Sequence, residues 1–202
     1  MIVLLIHGLG RTPASLFGLA SMLRRAGHHP RFFAYSPTFE SLPRVVRRLA
    51  TCLKKLEGKG QPVGLVGHSL GGLLLRKALA EVPSLRVRNF IMLGTPNRPP
   101  RLAWRAWKLF PFRWFTGDCG ALLSDPAAMA ALPCPTVPYV LIAGTAGPRG
   151  RYSPFGIDAN DGVVAADEVP IRTGDDVLHF PVWHTLMMDD PEVRRAVLAA
   201  LS

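Results

Sequence analysis

A six-residue stretch, Gly67-His68-Ser69-Leu70-Gly71-Gly72, constrains this chain more than any other. It follows an apolar run from Pro62 to Val66 and precedes a helix-like run from Leu73 to Leu79. A serine framed by glycines two positions before and after it, between a strand and a helix, is the pattern of a sharp turn that exposes the serine hydroxyl. The glycines have a steric reason, since bulky Cβ groups at those positions would meet the adjoining backbone. The helix that follows aims its free N–H groups and positive dipole end at the same place. The stretch predicts Ser69 as a nucleophile. The competing reading is an ordinary glycine-rich strand-to-helix turn.

The rest of the chain alternates apolar runs with helical patterns. Ile2 to Ile6 reads as a strand buried on both faces, followed by a turn at His7-Gly8-Leu9-Gly10. A helix is expected from Thr12-Pro13, with Thr12 as N-cap, to Arg25, stopping at Gly27. A short strand is expected at Arg31 to Tyr35. A second helix opens at Ser41-Leu42-Pro43, with Val45, Leu49, Leu53 and Leu56 as one apolar stripe, and ends at Gly58. Further strands are expected at Val87 to Leu93, Val137 to Ala143 and Val177 to Phe180, with a short element at Val163-Val164. Ala121 to Leu132 reads as helical with a break at Ser124-Asp125-Pro126, residues 144–162 as a loop, and Asp190-Pro191 as the cap of a terminal helix. Alternation of this kind implies a mostly parallel sheet, whose ligands sit at the carboxyl ends of the strands.

Such a sheet needs a filled interior. A chain of 202 residues with 49% apolar and 19% charged residues can supply one, as a single domain over 1–202. No apolar run approaches the ~18 residues of a membrane span. The apolar N-terminus lacks a basic leader region, so a cytoplasmic protein is expected. Cys52, Cys119 and Cys134 are odd in number and lack metal-site spacing, which argues for reduced, partly buried thiols rather than a disulfide frame or zinc site. A net charge of +10 raises nucleic acid, anionic membranes or acidic ligands as partners. Without a nucleic-acid module motif, nucleic acid is disfavoured.

A serine hydroxyl needs a base to remove its proton, and the base needs an orienting carboxylate. Of six histidines, His28 and His29 read as solvated at a helix end, and His7 and His68 as shaping their turns. His179 falls inside the last strand. His184, between that strand and the terminal helix, stands where the order Ser…acid…His puts the base. For the acid, Asn160-Asp161-Gly162-Val163-Val164 is the best context, with Asp158 as the alternative. Asp175 and Asp176 precede the last strand and fall at the wrong end of the sheet. Two backbone donors are needed for the developing oxyanion, and Leu70 N–H and Leu9 N–H are the candidates.

These segments together resemble a compact bacterial lipase or esterase of the α/β-hydrolase superfamily. The resemblance rests on His7-Gly8-Leu9-Gly10, the Ser69 hexapeptide, Leu93-Gly94-Thr95-Pro96, Asn160-Asp161-Gly162-Val163-Val164 and His184-Thr185-Leu186-Met187-Met188. It implies a minimal α/β-hydrolase fold with helices on both faces of the sheet and a small helical lid-like insertion at 98–132. It implies Asp161 as the acid, and it implies no cofactor. The chain starts directly at the strand before the oxyanion turn, so the fold's usual first hairpin is expected to be missing. Leu186 stands where larger lipases of this type carry a calcium-ligand aspartate, so no metal is expected.

The segment Arg98 to Phe115, RPPRLAWRAWKLFPFRWF, reads as a helix from Pro100 to Pro111 with Arg101, Arg105 and Lys108 on one narrow face. As an amphipathic lid, it would line an acyl pocket with Trp104, Trp107 and Phe110 and touch anionic lipid. As a plain surface helix, it would pack its aromatics on the domain. The expected chemistry is hydrolysis of small or lipid carboxylic esters with an apolar acyl group, through an acyl-enzyme. The alternatives are an acyl thioesterase or acyltransferase, or a non-catalytic membrane- or protein-binding module.

Overall fold

In the computed structural model, which describes residues 1–202, the apolar runs become six strands: β1 (Ile2–Ile6), β2 (His29–Phe33), β3 (Val63–His68), β4 (Val87–Leu93), β5 (Tyr139–Gly144) and β6 (Val177–Phe180). All neighbours pair in parallel, in the order β2-β1-β3-β4-β5-β6. Successive side chains of a strand point to opposite faces, and β1 shows the consequence. Leu4 and Ile6 join a cluster of 32 buried residues with α2 (Leu42–Glu57) and α3 (Leu70–Leu79). Val3 and Leu5 join a second cluster of 16 with α1 (Phe17–Arg25) and α7 (Pro191–Leu201). Both faces are covered, which is why the strands read as continuous apolar runs. At roughly 1.5–3 kcal/mol per buried large apolar side chain, these two layers are the main favourable term in folding.

Several elements follow the expected chemistry. Val45, Leu49, Leu53 and Leu56 are the buried stripe of α2. Asp190 caps α7 by accepting from the Glu192 and Val193 N–H groups. Tyr139 OH donates to Asp175 Oδ1 (2.8 Å) at the amino ends of β5 and β6, the edge away from Ser69.

Others differ. Pro13–Leu16 forms a 3₁₀ turn before α1, and Thr12 makes no side-chain cap. The second strand is His29–Phe33 rather than Arg31 to Tyr35, because His29 N–H extends the pairing by donating to Met1 O (2.8 Å). Val163 and Val164 form no strand, only a loop beside an isolated bridge between Asn160 and Ala165. Cys119 is buried and Cys52 half-buried, but Cys134 is exposed. In the segment beyond β4 the single expected helix is two. α4 (Arg101–Ala106) ends in a turn, and α5 (Phe110–Ser124) follows, kinked at Gly117. Pro111 sits in the first turn of α5, where its missing N–H costs nothing, so it starts a helix instead of ending one. Asp125 then caps α6 (Pro126–Ala130) through the Ala127 and Ala128 N–H groups. Ala103, Cys119, Leu122, Leu123, Met129 and Leu132 anchor this region in the larger core cluster. No helix is long and apolar enough to cross a membrane.

Candidate active site

Ser69 joins β3 to α3 with φ +51° and ψ −123°, and it alone among non-glycine residues has a positive φ. Such backbone costs of order 1–3 kcal/mol and persists only where its surroundings hold it. Here Ser69 N–H donates to Leu93 O (2.8 Å), and Thr95 Oγ1 donates to Ser69 O (3.1 Å). At about 1 kcal/mol each, these two bonds offset much of the strain. A Cβ on Gly67 would stand 2.5 Å from the Gly72 nitrogen, and one on Gly71 would stand 2.5 Å from Ile6 O. Both glycines are therefore steric necessities, as expected. The helix consequently begins at Leu70, three residues earlier than the apolar pattern suggests, with Gly71 and Gly72 inside its first turn.

The turn after β1 backs directly onto this serine, since a Cβ on Gly8 would stand 2.9 Å from the Ser69 Cβ. Leu9, in that turn, lines the cavity at Ser69, and Leu70 is the first residue of α3. Neither Leu9 N–H nor Leu70 N–H meets a backbone carbonyl, so both remain able to donate.

Asp161 and His184 come from loops at the carboxyl ends of β5 and β6 and meet beside Ser69. Asp161 is 1% exposed and His184 6% exposed, so the pair is shielded from water. A carboxylate oxygen only accepts, so His184 Nδ1–H donates to Asp161 Oδ2 (2.7 Å). That leaves Nε2 as the basic nitrogen. The other carboxylate oxygen, Oδ1, accepts from the N–H groups of Val163 (2.9 Å) and Val164 (2.7 Å). Asp161 O further accepts from His184 N–H (2.9 Å). Gly94 packs against the pair, because a Cβ there would stand 3.0 Å from His184 Nδ1 and 3.2 Å from Asp161 Oδ2. Asp158, the alternative acid, is half-exposed and pairs with Arg101 (2.7 Å).

The sequence model of the family described as alpha/beta hydrolase fold matches residues 2–131. The chain belongs to the alpha/beta-hydrolase family. No curated protein matches the sequence. Among solved structures it is similar to the Bacillus licheniformis lipase BlEst2, at 21% identity. Against the propeptide form the TM-score is 0.74, over 92% of this chain and 46% of that one, so the chain spans under half of that protein. Against the mature form it is 0.68, over 99% and 91%. The monoacylglycerol lipase of Paleococcus ferrophilus follows at TM-score 0.63 and 18% identity, over 99% and 93%. The tomato methylketone synthase I complexed with 2-tridecanone gives TM-score 0.67 at 14% identity, over 98% and 96%. At these identities the likeness is one of fold. One alpha/beta-hydrolase scaffold carries several chemistries, so the reaction has to be argued from the site.

Ser69 and His184 open onto a cavity of about 240 Å³ with apolar walls from Leu9, Leu102, Ala103, Ala106, Phe112 and Val164. Leu102, Ala103, Ala106 and Phe112 bring the segment beyond β4 to this cavity. Trp104 and Phe110 are exposed, and Trp107 sits where a Cβ on Gly120 would stand 3.2 Å from its ring; none of the three lines the cavity. Arg101 does not share a free basic face either. Its guanidinium pairs with Asp158, Asp167 and Glu168. Glu168 is buried, accepts from Arg101 N–H (2.9 Å) and Ala165 N–H (3.0 Å), and so ties α4 to the loop that carries Asp161.

His68 and His7, read from sequence as turn-shaping residues, are both buried beside Ser69. His68 Nε2–H donates to His184 O (3.0 Å), and His7 Nδ1–H donates to Gly8 O (3.0 Å). The remaining nitrogen of each ring has no partner, so charging either would strand an N–H in the interior. Burial lowers the pKa of His7, and burial followed by the nearby His184 holds His68 well below the ordinary histidine value. The unfolded chain, with both near 6.5, then binds more protons than the folded one below that pH. Stability is fully present above about pH 6.5 and lost as the pH falls below it, by up to ~1.4 kcal/mol per pH unit for each group. Glu168, whose carboxyl burial pushes up, works in the opposite sense at more acidic pH. Thermal melts should show a flat Tm from about pH 8 to 6.5 and a decline toward pH 5.5, shallower in H68Q. A Tm that rises on acidification through that window would contradict it.

Proposed function

We propose that this chain is a serine hydrolase of carboxylic esters with an apolar acyl group. The reading rests on one observation: His184, oriented by the buried Asp161, and a strained Ser69 line one apolar cavity. Ser69 Oγ attacks the ester carbonyl while His184 Nε2 takes its proton and later returns it to the leaving alcohol. Asp161 holds the imidazole in that tautomer and stabilises its positive charge. Leu9 and Leu70 N–H groups bind the oxyanion, and water releases the acyl-enzyme. Within this reading, residues 98–132 act as a cap whose inner wall grips the acyl chain.

The cap's outer surface supports a second element of the proposal. Trp104, Leu109, Phe110, Trp114 and Phe115 are exposed and interleaved with exposed Arg105, Lys108 and Arg113. Apolar rings beside cations suit an anionic lipid surface.

A series of p-nitrophenyl esters tests both parts. The apolar walls of the cavity favour a medium-length acyl chain over acetyl. Turnover is expected to peak near that acyl length and to rise when the ester exceeds its micelle concentration. No turnover anywhere in the series would overturn the hydrolase reading, and turnover indifferent to aggregation would remove the surface contact.

A further inference from the structure

Arg11 lies two residues beyond Leu9, and it alone among the arginines and lysines lines the cavity at Ser69. Its Nη2 donates to Thr185 O (3.1 Å), next to His184, and no carboxylate pairs with it. Arg48, Arg101 and Arg194, by contrast, are each engaged by acids. A guanidinium carries five donors in a planar fork, and the Thr185 carbonyl is the one acceptor that engages it.

The same arginine also walls a second, wider cavity of about 560 Å³ on the far side of Leu9 and Phe112. This groove differs in chemistry from the first. Tyr35, Thr38 and Thr116 contribute hydroxyls already committed to the carbonyls of His7, Phe115 and Phe112. The hydroxyls of Thr12 and Ser36 also line it and make no side-chain hydrogen bond. No carboxylate lines either cavity. Glu40, which accepts from Ser36 N–H (3.0 Å), is already paired with Arg48. An arginine without an acidic partner, sharing a groove with two hydroxyls that make no hydrogen bond, is a donor set for a tetrahedral oxyanion rather than for an apolar group. The acyl chain of an ester at Ser69 belongs in the apolar cavity, so the groove across Leu9 is left for the alcohol.

Resting on the ester-hydrolase reading, we propose that Arg11, Thr12 and Ser36 form a subsite for a phosphate group on the leaving alcohol. The preferred substrate is then a single-chain acyl ester of a phosphorylated alcohol. Arg11 is half-exposed, so solvent screening keeps its contribution near tenfold rather than thousandfold.

Two non-hydrolysable ethers test the subsite without turnover: decylglycerol phosphate and neutral decylglycerol, titrated below their micelle concentrations into the wild-type protein, R11M and R11K. The phosphate ether is expected to bind the wild-type protein about tenfold more tightly. That ratio should fall to near one in R11M and lie between in R11K, which keeps the charge but loses the fork. Because the ratio compares two ligands on one protein, a general loss of folded protein cancels. A wild-type ratio near one, or a ratio unchanged in both variants, would overturn the subsite. The matching decanoyl esters then place it. A phosphate preference in kcat/KM supports the leaving-group position, and equal turnover overturns it. If neither ester is cleaved, the hydrolase reading falls while the ether titration still decides the subsite.

Discussion

Ser69→Ala is expected to lower turnover of a medium-chain p-nitrophenyl ester by roughly 10⁵–10⁶-fold, with little change in Tm. The magnitude follows from how such triads behave: loss of the nucleophile leaves only what the oxyanion donors and substrate binding supply, and the remaining members cannot substitute. Stability should hold because the elbow is maintained by backbone. Ser69 N–H to Leu93 O and Thr95 Oγ1 to Ser69 O involve no serine hydroxyl, and alanine keeps the Cβ that already occupies the turn. A fluorophosphonate reagent should label the wild-type protein once and the variant not at all. Turnover within tenfold of wild type would remove Ser69 from the mechanism, and with it the ester-hydrolase proposal.

The parts of this fold that were legible from sequence are those where one local rule decides. The strands of a parallel sheet are buried on both faces, so Ile2–Ile6 and Val87–Leu93 announce themselves as unbroken apolar runs. Gly67 and Gly71 were legible because a Cβ there collides with backbone whatever the remaining chain does. Ser69, Asp161 and His184 were each legible as the polar residue after a predicted strand, since a parallel sheet brings all such positions to one edge.

What sequence left open was decided by distant partners. The aromatics of residues 98–115 show that something is buried but not which ring, and the choice fell to Ala103, Ala106 and Phe112, with Trp107 beside Gly120 instead. Proline can end a helix or open one, and only the turn after α4 makes Pro111 an opening. Arg101 looked like a member of a basic face, but its three acidic partners lie between Asp158 and Glu168 and fold against it from the next strand's loop. The contacts of Arg11 with Thr185, Thr95 with Ser69 and His68 with His184 are hidden from sequence for the same reason. The only local hints were their places directly beside predicted turns.

The two candidate acids make opposite demands on mutation. Asp161 Oδ1 accepts two backbone N–H groups while Oδ2 accepts from His184 Nδ1, so both carboxylate oxygens meet donors. An asparagine of the same shape has one acceptor and one donor end. With its oxygen kept toward Val163 and Val164, its amide N–H groups face His184 Nδ1 and force the proton onto Nε2, the nitrogen that must accept from Ser69. With the amide reversed, two backbone N–H groups lose their acceptor in a site that water does not reach. The first outcome costs less in stability, so Asp161→Asn is expected to fold while kcat drops about 10⁴-fold. Asp158→Asn removes one half-exposed ion pair from an arginine that retains Asp167 and Glu168. Its expected cost is under ~1 kcal/mol of stability, with turnover within about twofold of wild type. Steady-state kinetics of the two variants side by side separates the roles. The reverse pattern, a silent Asp161→Asn beside an inactive Asp158→Asn, would break the assignment of the acid and leave the His184–Asp161 contact with a purely structural function.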